Sequence, residues 1–322
     1  MSLPHPQLAD VLLARRNIRP YLNPTPFHTY PALNEYVGTE VYVKHENYQP
    51  TGAFKVRGGI NLVAQMSPEE RARGVIAAST GNHGQSVAYG AWLFGITARI
   101  VVPEGANPGK VAAMQGMGAE VIFHGARFDD ARLHAEALAK QHGYRYVHSG
   151  DEPLLIAGVA TYTLEMLEAQ PDLDVIIVPI GGGSGAAGTC TAAKAINPAI
   201  RIIGVQSEAA PAAYTAWKTG APAQAANTTN AEGLATGTSF DLPQAILHDK
   251  LDDFVLVSDA DIQRALVAMI EHAHTLAEGA GAAPLAAACK LQAELAGKKV
   301  ALVCSGGNAS LASLRAALDV AQ

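Results

Sequence analysis

The 322-residue sequence contains only three cysteines, and their placement argues against a disulfide scaffold or a zinc site. Cys190, Cys289 and Cys304 are far apart in the chain and form no CxxC pair. The 11 histidines show no HExxH spacing, and His272 and His274 are two residues apart, which points them to different sides of a helix. We therefore expect reduced thiols and no metal site.

Long apolar runs and an excess of positive charge are also missing. Apolar stretches such as Leu154–Ala160 fall far short of the roughly 20 residues that a membrane span needs. Arg15 and Arg16 are followed by a polar segment, not by the apolar core of a signal peptide, which predicts a cytoplasmic location. The formal net charge of −6 argues against a nucleic-acid partner.

Glycine and short β-rich runs are abundant instead. The chain has 31 glycines, and from about residue 40 β-rich runs alternate with helical stretches, which predicts a mostly parallel sheet covered on both faces. The length is about twice that of a usual single domain, so we expect two lobes that share one cleft. The predicted strands are Val41–Lys44, Val75–Ala78, Arg99–Val102, Glu120–Phe123, Val175–Val178, Arg201–Val205 and Val300–Cys304. The predicted helices are Gln85–Leu93, Lys110–Met117, Asp129–Gln141, Ala186–Ala195 and Asp261–His274, and Thr219–Leu251 is expected to be a long irregular loop.

Three polar loops follow predicted strands, where ligands of open α/β sheets bind. Ser79–Gln85 places hydroxyls and free backbone N–H groups at the start of a helix, which is typical of an anion site. Gly181–Gly185 can fold its N–H groups around phosphate oxygens. Ser305 can hydrogen-bond a heterocyclic nitrogen at a strand end, and Lys55 supplies a primary amine. Together these groups match the needs of pyridoxal phosphate.

Each loop also has a structural interpretation. Ser79 or Thr80 can be a helix N-cap, and Ser305 can cap the last helix. Glu278–Ala282 is either a backbone wall beside a flat ring or a glycine pair that packs helices.

A dinucleotide cofactor is the main rival to pyridoxal phosphate. Gly183–Gly188 matches G-x-G-x-x-G between a strand and a helix, and Glu208 follows about 20 residues later. This interpretation predicts a nicotinamide oxidoreductase, but it leaves Lys55 and Ser305 without a role.

Taken together, the segments resemble the fold-type II pyridoxal-phosphate enzymes, in particular the threonine/serine dehydratase and serine racemase family, over nearly the whole chain. Lys44–Gly58 (KHENYQPTGAFKVRG) is similar to the cofactor-lysine segment of that family. Ser79–Gln85 is similar to its substrate-carboxylate loop, Gly181–Gly185 to its phosphate loop and Ser305–Asn308 to its pyridine-nitrogen site. The resemblance implies an α/β fold like that of the tryptophan synthase β chain. Residues 1–65 and 150–322 would form a discontinuous large cofactor-binding domain, and residues 66–149 a small substrate-loop domain.

The resemblance also implies roles for individual residues. Those expected to be catalytic are Lys55 and Thr80. Those expected to bind the cofactor are Phe54, Lys55, Asn82, Gly181, Gly182, Gly183, Ser184, Gly185, Glu278 and Ser305. Those expected to bind the substrate are Ser79, Thr80, Gly81, Asn82 and His83.

Some positions depart from the family pattern. Ser184 replaces the fourth glycine of the phosphate loop, which adds a hydroxyl donor, and Ser149 follows His148 where relatives have His-Pro. Glu208 has no second acid after it in Ala209–Tyr214, so no divalent-metal site is expected. The sequence ends at Gln322, and the C-terminal effector domain of biosynthetic threonine dehydratases is not expected.

The implied reaction is the dehydration and deamination of a β-hydroxy amino acid, such as L-threonine or L-serine, to a 2-oxo acid and ammonia, with Lys55 as the base. Alternatives within the family are a serine racemase and a dehydratase of hydroxyaspartate or of an osmolyte-degradation route. A regulatory module without catalysis is disfavoured by the intact Lys55, Asn82 and Ser305. The expected partners are the amino acid substrate and a second copy of the chain in a homodimer.

Two side chains bear on the choice among these alternatives. A racemase needs a second acid/base opposite Lys55, and the racemases that this chain resembles have serine at the position of Thr80. The extra methyl of threonine restricts χ1 and can turn the hydroxyl toward its own helix as a cap, so we expect elimination to dominate. Arg127, after the strand Glu120–Phe123, is either a bidentate partner for the distal carboxylate of hydroxyaspartate or a solvated side chain.

Overall fold

The structure is a computed structural model that describes residues 3–321. Its strands are β1 (Phe27–Thr29), β2 (Glu40–His45), β3 (Val75–Ala78), β4 (Ala98–Val102), β5 (Glu120–Phe123), β6 (Arg145–Tyr146), β7 (Val175–Pro179), β8 (Arg201–Ser207), β9 (Asp253–Val257) and β10 (Lys299–Cys304). Its helices are α1 (Leu8–Ile18), α2 (Pro31–Val37), α3 (Val56–Ala64), α4 (Pro68–Arg73), α5 (Asn82–Leu93), α6 (Pro108–Gly116), α7 (Phe128–His142), α8 (Pro153–Val159), α9 (Thr161–Ala169), α10 (Ser184–Ile196), α11 (Ala212–Thr219), α12 (Asp241–Lys250), α13 (Asp259–Ala273), α14 (Gly279–Lys290), α15 (Gln292–Leu295) and α16 (Leu311–Ala321).

The strands form two separate sheets. The larger sheet has the order β1-β2-β10-β7-β8-β9 and the smaller one the order β5-β4-β3-β6. All neighbouring strands are parallel except β1, which pairs with β2 in the antiparallel direction. The expected two parallel-sheet lobes are therefore confirmed, with one antiparallel strand added at an edge.

The larger sheet buries both of its faces, because its central strands are apolar at successive positions. Val175 and Ile177 of β7 pack into one core with α13 and α14. Ile176 and Val178 point to the opposite face and pack with α9, α10 and α12. Such continuous apolar runs are typical of parallel strands covered by helices on both sides.

The smaller sheet follows the same rule. Val75 and Ala77 of β3 pack against α3, α5 and α6, whereas Ile76 and Ala78 pack against α7. Helix boundaries follow local chemistry: Ser67 and Glu70 form a reciprocal capping box at the start of α4. The carboxyl ends of β3, β7 and β10 lead directly into the loops that begin at Ser79, Ile180 and Ser305.

All seven predicted strands and all five predicted helices are present, with ends shifted by up to three residues. The interpretation of Thr219–Leu251 as one irregular loop was wrong, because α12 occupies its last third. Leu242, Ile246 and Leu247 of α12 are buried at helical spacing in a segment that also contains Pro243. No helix within residues 3–321 has both the length and the apolarity to cross a membrane.

Candidate active site

Lys55 stands immediately before α3, and its amine reaches the glycine loop. Its Nζ donates hydrogen bonds to Ser184 Oγ at 3.0 Å and to the carbonyl oxygen of Ser149 at 3.1 Å. Burial of the amine lowers the pKa of Lys55 to about 8. At pH 7 roughly one amine in ten is therefore unprotonated, far more than for an ordinary exposed lysine.

A buried ion pair joins the two ends of the segment that carries Lys55. Arg57 donates to both carboxylate oxygens of Glu46, at 2.7 and 2.8 Å, and both side chains are almost fully buried. Arg57 also donates to both oxygens of Glu165, at 2.6 and 2.8 Å. Burial alone would lower the pKa of the Arg57 guanidinium, but the two carboxylates raise it. The loop between Glu46 and Arg57 is thus held at both ends.

Lys44 adds a second cation to this cluster. Its Nζ pairs with Glu165 and donates to the carbonyl oxygen of Thr25 at 2.9 Å. With Arg57, Glu46 and Glu165, the cluster contains two cations and two carboxylates and is close to neutral. Such balance is what permits ionised groups to remain buried.

The glycine loop lies between β7 and α10 and has little room for side chains. Gly183 has a φ of +89°, a conformation that L side chains rarely adopt. A Cβ on Gly181 would lie 2.3 Å from the carbonyl oxygen of Gly233. A Cβ on Gly182 would lie 2.2 Å from the ring of Phe240. The loop therefore presents backbone at the start of the buried helix α10, which is the geometry of a phosphate cradle.

Ser305 and Lys55 are held next to each other by backbone hydrogen bonds. Phe54 N donates to the carbonyl oxygen of Ser305 at 3.0 Å, and Gly307 N donates to that of Gly52 at 2.9 Å. Ser305 is buried at the end of β10. The ring of Phe54 packs edge-on against Tyr162, with centroids 6.2 Å apart. The lysine segment and the Ser305 loop therefore form one unit.

Asn82 connects the two sheets through a chain of polar side chains. Its Nδ2 donates to Glu278 Oε1 at 2.7 Å, and its Oδ1 accepts from Asn308 Nδ2 at 2.8 Å. Asn308 Nδ2 also donates to the carbonyl oxygen of Thr51 at 2.8 Å. Burial raises the pKa of Glu278 to about 7, and the Asn82 amide opposes this increase. Glu278 thus contributes a carboxylate, not only the backbone wall that its sequence context indicates.

The loop that starts at Ser79 has two hydroxyl side chains, Ser79 and Thr80, with different hydrogen bonding. Ser79 Oγ accepts from Gly84 N at 2.9 Å and from Gly81 N at 3.2 Å, which caps the start of α5. The half-buried Thr80 hydroxyl has no hydrogen-bond partner within the described residues 3–321. Ser79, and not Thr80, is therefore the capping residue, and Thr80 is free for another role.

His83 is the buried histidine of the same loop. Its Nε2 donates to the carbonyl oxygen of Val147 at 2.9 Å, which leaves Nδ1 without a partner in the part of the chain that is described. Burial, and then the nearby Lys55 amine, lower the pKa of His83 to about 3. The imidazole is neutral at physiological pH.

A cavity of about 450 Å³ adjoins Glu278 and Asn308. It lies between α13, α16 and the segment Thr229–Gly233, and Lys110 of α6 also lines it. Lys110 forms an ion pair with Glu232, which also lines the cavity. The pair joins a helix of the smaller sheet to a loop that packs on the larger one.

Two residues singled out from the sequence lie on the surface. The Arg127 side chain is 80% exposed and pairs with Asp130 of α7 at 3.8 Å, which favours the solvated alternative for this residue. Glu208 is half exposed and lies 3.7 Å from Lys290. No group of three or more potential metal ligands occurs within residues 3–321.

Other groups of the site were not assigned from the sequence. Ser149 contributes a carbonyl oxygen, which no side-chain pattern can reveal. Asn308 is the last residue of the Ser305–Asn308 motif, and its place in that motif is the sequence feature that points to its amide. Phe240 covers Gly182 and Gly150 from a segment that was expected to be irregular.

Comparison with known proteins gives a consistent result. Residues 18–306 match the family described as pyridoxal-phosphate dependent enzyme, and this range contains Lys55, the Ser79 loop, the glycine loop and Ser305. The chain is 40% identical over 302 residues to the L-threonine ammonia-lyase of Thermotoga maritima, covering 94% of this chain and 75% of that protein. It is 37% identical over 308 residues to the L-threo-3-hydroxyaspartate ammonia-lyase of Saccharomyces cerevisiae, covering 95% of this chain and 94% of that protein.

A solved structure of similar fold comes from maize. Its serine racemase superimposes with a TM-score of 0.93 at 31% sequence identity, and the match covers 98% of each chain. These similarities leave the dinucleotide interpretation of Gly183–Gly188 without support, and Gly188 instead brings α10 close to the backbone of Ala160.

Proposed function

This chain belongs to the family of pyridoxal-phosphate-dependent enzymes, and on that premise we propose that it is a lyase that releases ammonia from a β-hydroxy amino acid. Loss of the α-proton and the β-hydroxyl removes water and leaves an enamine, which tautomerises to an imine and is hydrolysed to a 2-oxo acid and ammonia. The observation that carries this proposal is the contact of the Lys55 amine with the first residue of α10 at the glycine loop.

The residues of the site fit pyridoxal phosphate. The glycine loop, Gly181 to Gly185 with Ser184, would hold its phosphate, because side chains are excluded there and α10 begins there. Ser305 would face the ring nitrogen, and Asn82 and Phe54 would border the ring. The bound cofactor supplies an aldehyde for the amines of Lys55 and the substrate, and a ring that accepts the electron pair left at the substrate Cα.

Lys55 is proposed as the base that takes the α-proton. A base works best when its pKa lies near the working pH, and burial brings the pKa of Lys55 to about 8. Ser305 offers a hydroxyl and no carboxylate, so it does not fix a proton on the ring nitrogen. Prompt loss of the β-hydroxyl is therefore favoured over transamination.

The loop Ser79–His83 is proposed to bind the substrate carboxylate. Its free backbone N–H groups stand at the start of α5, where the helix dipole favours a negative charge. Ser79 supports this loop from within through its hydrogen bonds to Gly81 and Gly84. Thr80 places a free hydroxyl beside the substrate position.

The substrate class is inferred from chemistry and relatives together. A threonine-acting and a hydroxyaspartate-acting ammonia-lyase are both similar to this chain over nearly its full length. Incubation with L-threonine, L-serine and L-threo-3-hydroxyaspartate should give equal amounts of ammonia and 2-oxo acid from at least one of them. A protein that carries the cofactor and releases ammonia from none of the three would refute the proposal.

Racemisation of serine is the second candidate. The Thr80 hydroxyl, which has no hydrogen-bond partner among residues 3–321, and the similarity to maize serine racemase favour it. We propose that elimination nevertheless dominates. Since Ser79 and not Thr80 caps α5, this preference rests on the Thr80 methyl group alone, which restricts the rotation of its hydroxyl.

We also propose a cytoplasmic homodimer with a large domain of residues 1–65 and 150–322 and a small domain of residues 66–149. Reduced thiols support the location, because Cys190, Cys289 and Cys304 are all free. Exposed Tyr48 and Leu276 support the dimer: their segments are joined by the hydrogen bond from Asn47 Nδ2 to the carbonyl oxygen of Leu276 at 3.0 Å. A monomer by sedimentation at micromolar concentration would contradict the dimer.

A further inference from the structure

We propose that the Ser184 hydroxyl is a positioning group for the Lys55 amine. The inference rests on the proposed function and adds to it a residue at which this chain departs from the phosphate loop that it resembles. Its basis is the 3.0 Å hydrogen bond from Lys55 Nζ to Ser184 Oγ.

The contact is well defined by its surroundings. The Lys55 amine has two acceptors: the backbone carbonyl of Ser149 at 3.1 Å and the hydroxyl of Ser184. Ser184 is 3% exposed and is the first residue of the buried helix α10. Its Oγ is the acceptor that a substitution can remove, since a glycine at this position would leave the amine with Ser149 alone.

The charged and titratable groups around the Lys55 amine determine how much the Ser184 hydroxyl can affect its protonation. His83 and His148 face Lys55, and burial lowers the pKa of both imidazoles, so neither carries a charge at neutral pH. The Phe54 ring lies 5.3 Å from Nζ. With no charged partner at hydrogen-bond distance among the described residues, the ammonium form of Lys55 depends on the Ser149 carbonyl and Ser184 for hydrogen bonding.

The hydroxyl therefore has two effects on the free amine. An acceptor stabilises the protonated form of its donor more than the neutral form, so Ser184 raises the proton affinity of Lys55. It also restricts the long lysine side chain to one direction, which keeps the amine aimed while it is not bonded to the cofactor. The first effect can be measured without any turnover.

The test uses the cofactor-free full-length chain and three variants: Ser184→Ala, Ser184→Gly and Ser184→Thr. Acetylation of Lys55 by limiting acetic anhydride, followed across pH by peptide mass spectrometry, reports the titration of its amine. Exposed Lys140 in the same digest is the internal reference. We expect Lys55 of the alanine and glycine variants to titrate at lower pH and to react about threefold to tenfold faster at pH 7, because one hydrogen bond to the ammonium is lost. In the cofactor-free threonine variant, which keeps the hydroxyl, Lys55 should titrate at the same pH as in the wild type.

Turnover gives the second readout. In the cofactor-loaded alanine variant we expect kcat about threefold to tenfold lower, with its acid limb at lower pH and KM within twofold of wild type. An unchanged Lys55 titration in the alanine variant, or an equal shift in the threonine variant, would overturn the proposal. Failure of the proposed function would appear separately, as absence of ammonia release by the wild type.

Discussion

The residues at the centre of the site have proton affinities that burial has changed. Lys55 has a pKa lowered to about 8, Glu278 a pKa raised to about 7 and His83 a pKa lowered to about 3. In each case desolvation disfavours the charged form. Such groups concentrate where proton transfer takes place, so the pH dependence of this protein should reflect them.

Glu278 gives a prediction for stability. Its pKa is raised from 4.5 to about 7, so the folded state binds more protons than the unfolded state between these values. Glu278 therefore contributes favourably to the free energy of unfolding below about pH 4.5, and this contribution is lost as the pH rises through about 7. Glu278→Gln keeps an acceptor for Asn82 and removes the buried charge.

Urea denaturation of the cofactor-free protein at pH 5 and pH 8 measures this effect. Relative to wild type, Glu278→Gln should gain on the order of 1–3 kcal/mol in free energy of unfolding between pH 5 and pH 8. An equal difference at both pH values would show that the carboxyl does not titrate in this range.

Thr80 decides between elimination and racemisation. Its hydroxyl is the free one of the loop, since Ser79 caps α5. With L-serine in D₂O, wild type should form pyruvate much faster than D-serine, and Thr80→Ala should still eliminate within about tenfold of wild type. D-Serine that appears faster than pyruvate, and that disappears in Thr80→Ala, would establish a racemase.

The sequence predicted these residues unevenly. Lys55, Ser305 and the glycines stand in contiguous motifs, so their chemistry could be inferred without a structure. The carboxylate of Glu278 could not, because its partner Asn82 is 196 positions away in the chain. Phe240 was missed for the same reason, whereas the role of Ser149 was missed because it contributes a backbone carbonyl.

At the scale of elements, the segment between Glu46 and Arg57 carries Lys55 and is held by buried ion pairs. Removing one member of a buried ion pair leaves an unpaired buried charge, which destabilises by about 3–5 kcal/mol. Arg57→Met leaves Lys44 as the one cation of the cluster beside the two carboxylates of Glu46 and Glu165, so we expect a loss of that size in urea denaturation. Weaker cofactor binding should accompany it.

An exposed pair provides the matched control. Arg15 pairs with Glu168, and the two side chains are 43% and 63% exposed. Arg15→Met should cost less than about 1 kcal/mol. Equal losses in the two variants would mean that burial of the Arg57 cluster does not determine its contribution.

The glycine loop gives a prediction that rests on backbone geometry. A Cβ on Gly181 would meet the carbonyl oxygen of Gly233, and backbone cannot move aside as a side-chain tip can. Gly181→Ala should therefore destabilise the protein by about 1–3 kcal/mol and weaken pyridoxal phosphate binding at least tenfold. Gly116→Ala, where a Cβ meets nothing within 4 Å, is the control and should bind the cofactor normally. Normal binding by Gly181→Ala would remove this loop from the phosphate site.

Strand prediction succeeded for most apolar runs of four or more residues and failed for the two shorter ones. β7 and β10 are buried at almost every position and were recognised. β1 has three residues and β6 has two, too few to show a period. The strand β9 (Asp253–Val257) was not predicted, because it directly follows the segment Thr219–Leu251, which was interpreted as an irregular loop.

At the scale of the whole molecule, the site is assembled from both sheets. The Ser79 loop follows β3 of the smaller sheet, whereas the glycine loop and Ser305 follow β7 and β10 of the larger one. The hydrogen bond from Asn82 to Glu278 and the Lys110–Glu232 pair connect the two parts. The sequence predicted two lobes from length and alternation, but not these contacts, which depend on how the lobes pack.

The central claim is that Lys55 carries pyridoxal phosphate in an ammonia-releasing enzyme. Reduction of the cofactor-loaded protein with borohydride, followed by peptide mass spectrometry, tests it most directly, because reduction fixes the cofactor on the lysine that holds it. We predict one phosphopyridoxyl group per chain, on Lys55, with loss of ammonia release in proportion to its formation. A stoichiometric group on any other lysine, or full labelling of Lys55 with undiminished ammonia release, would contradict the account.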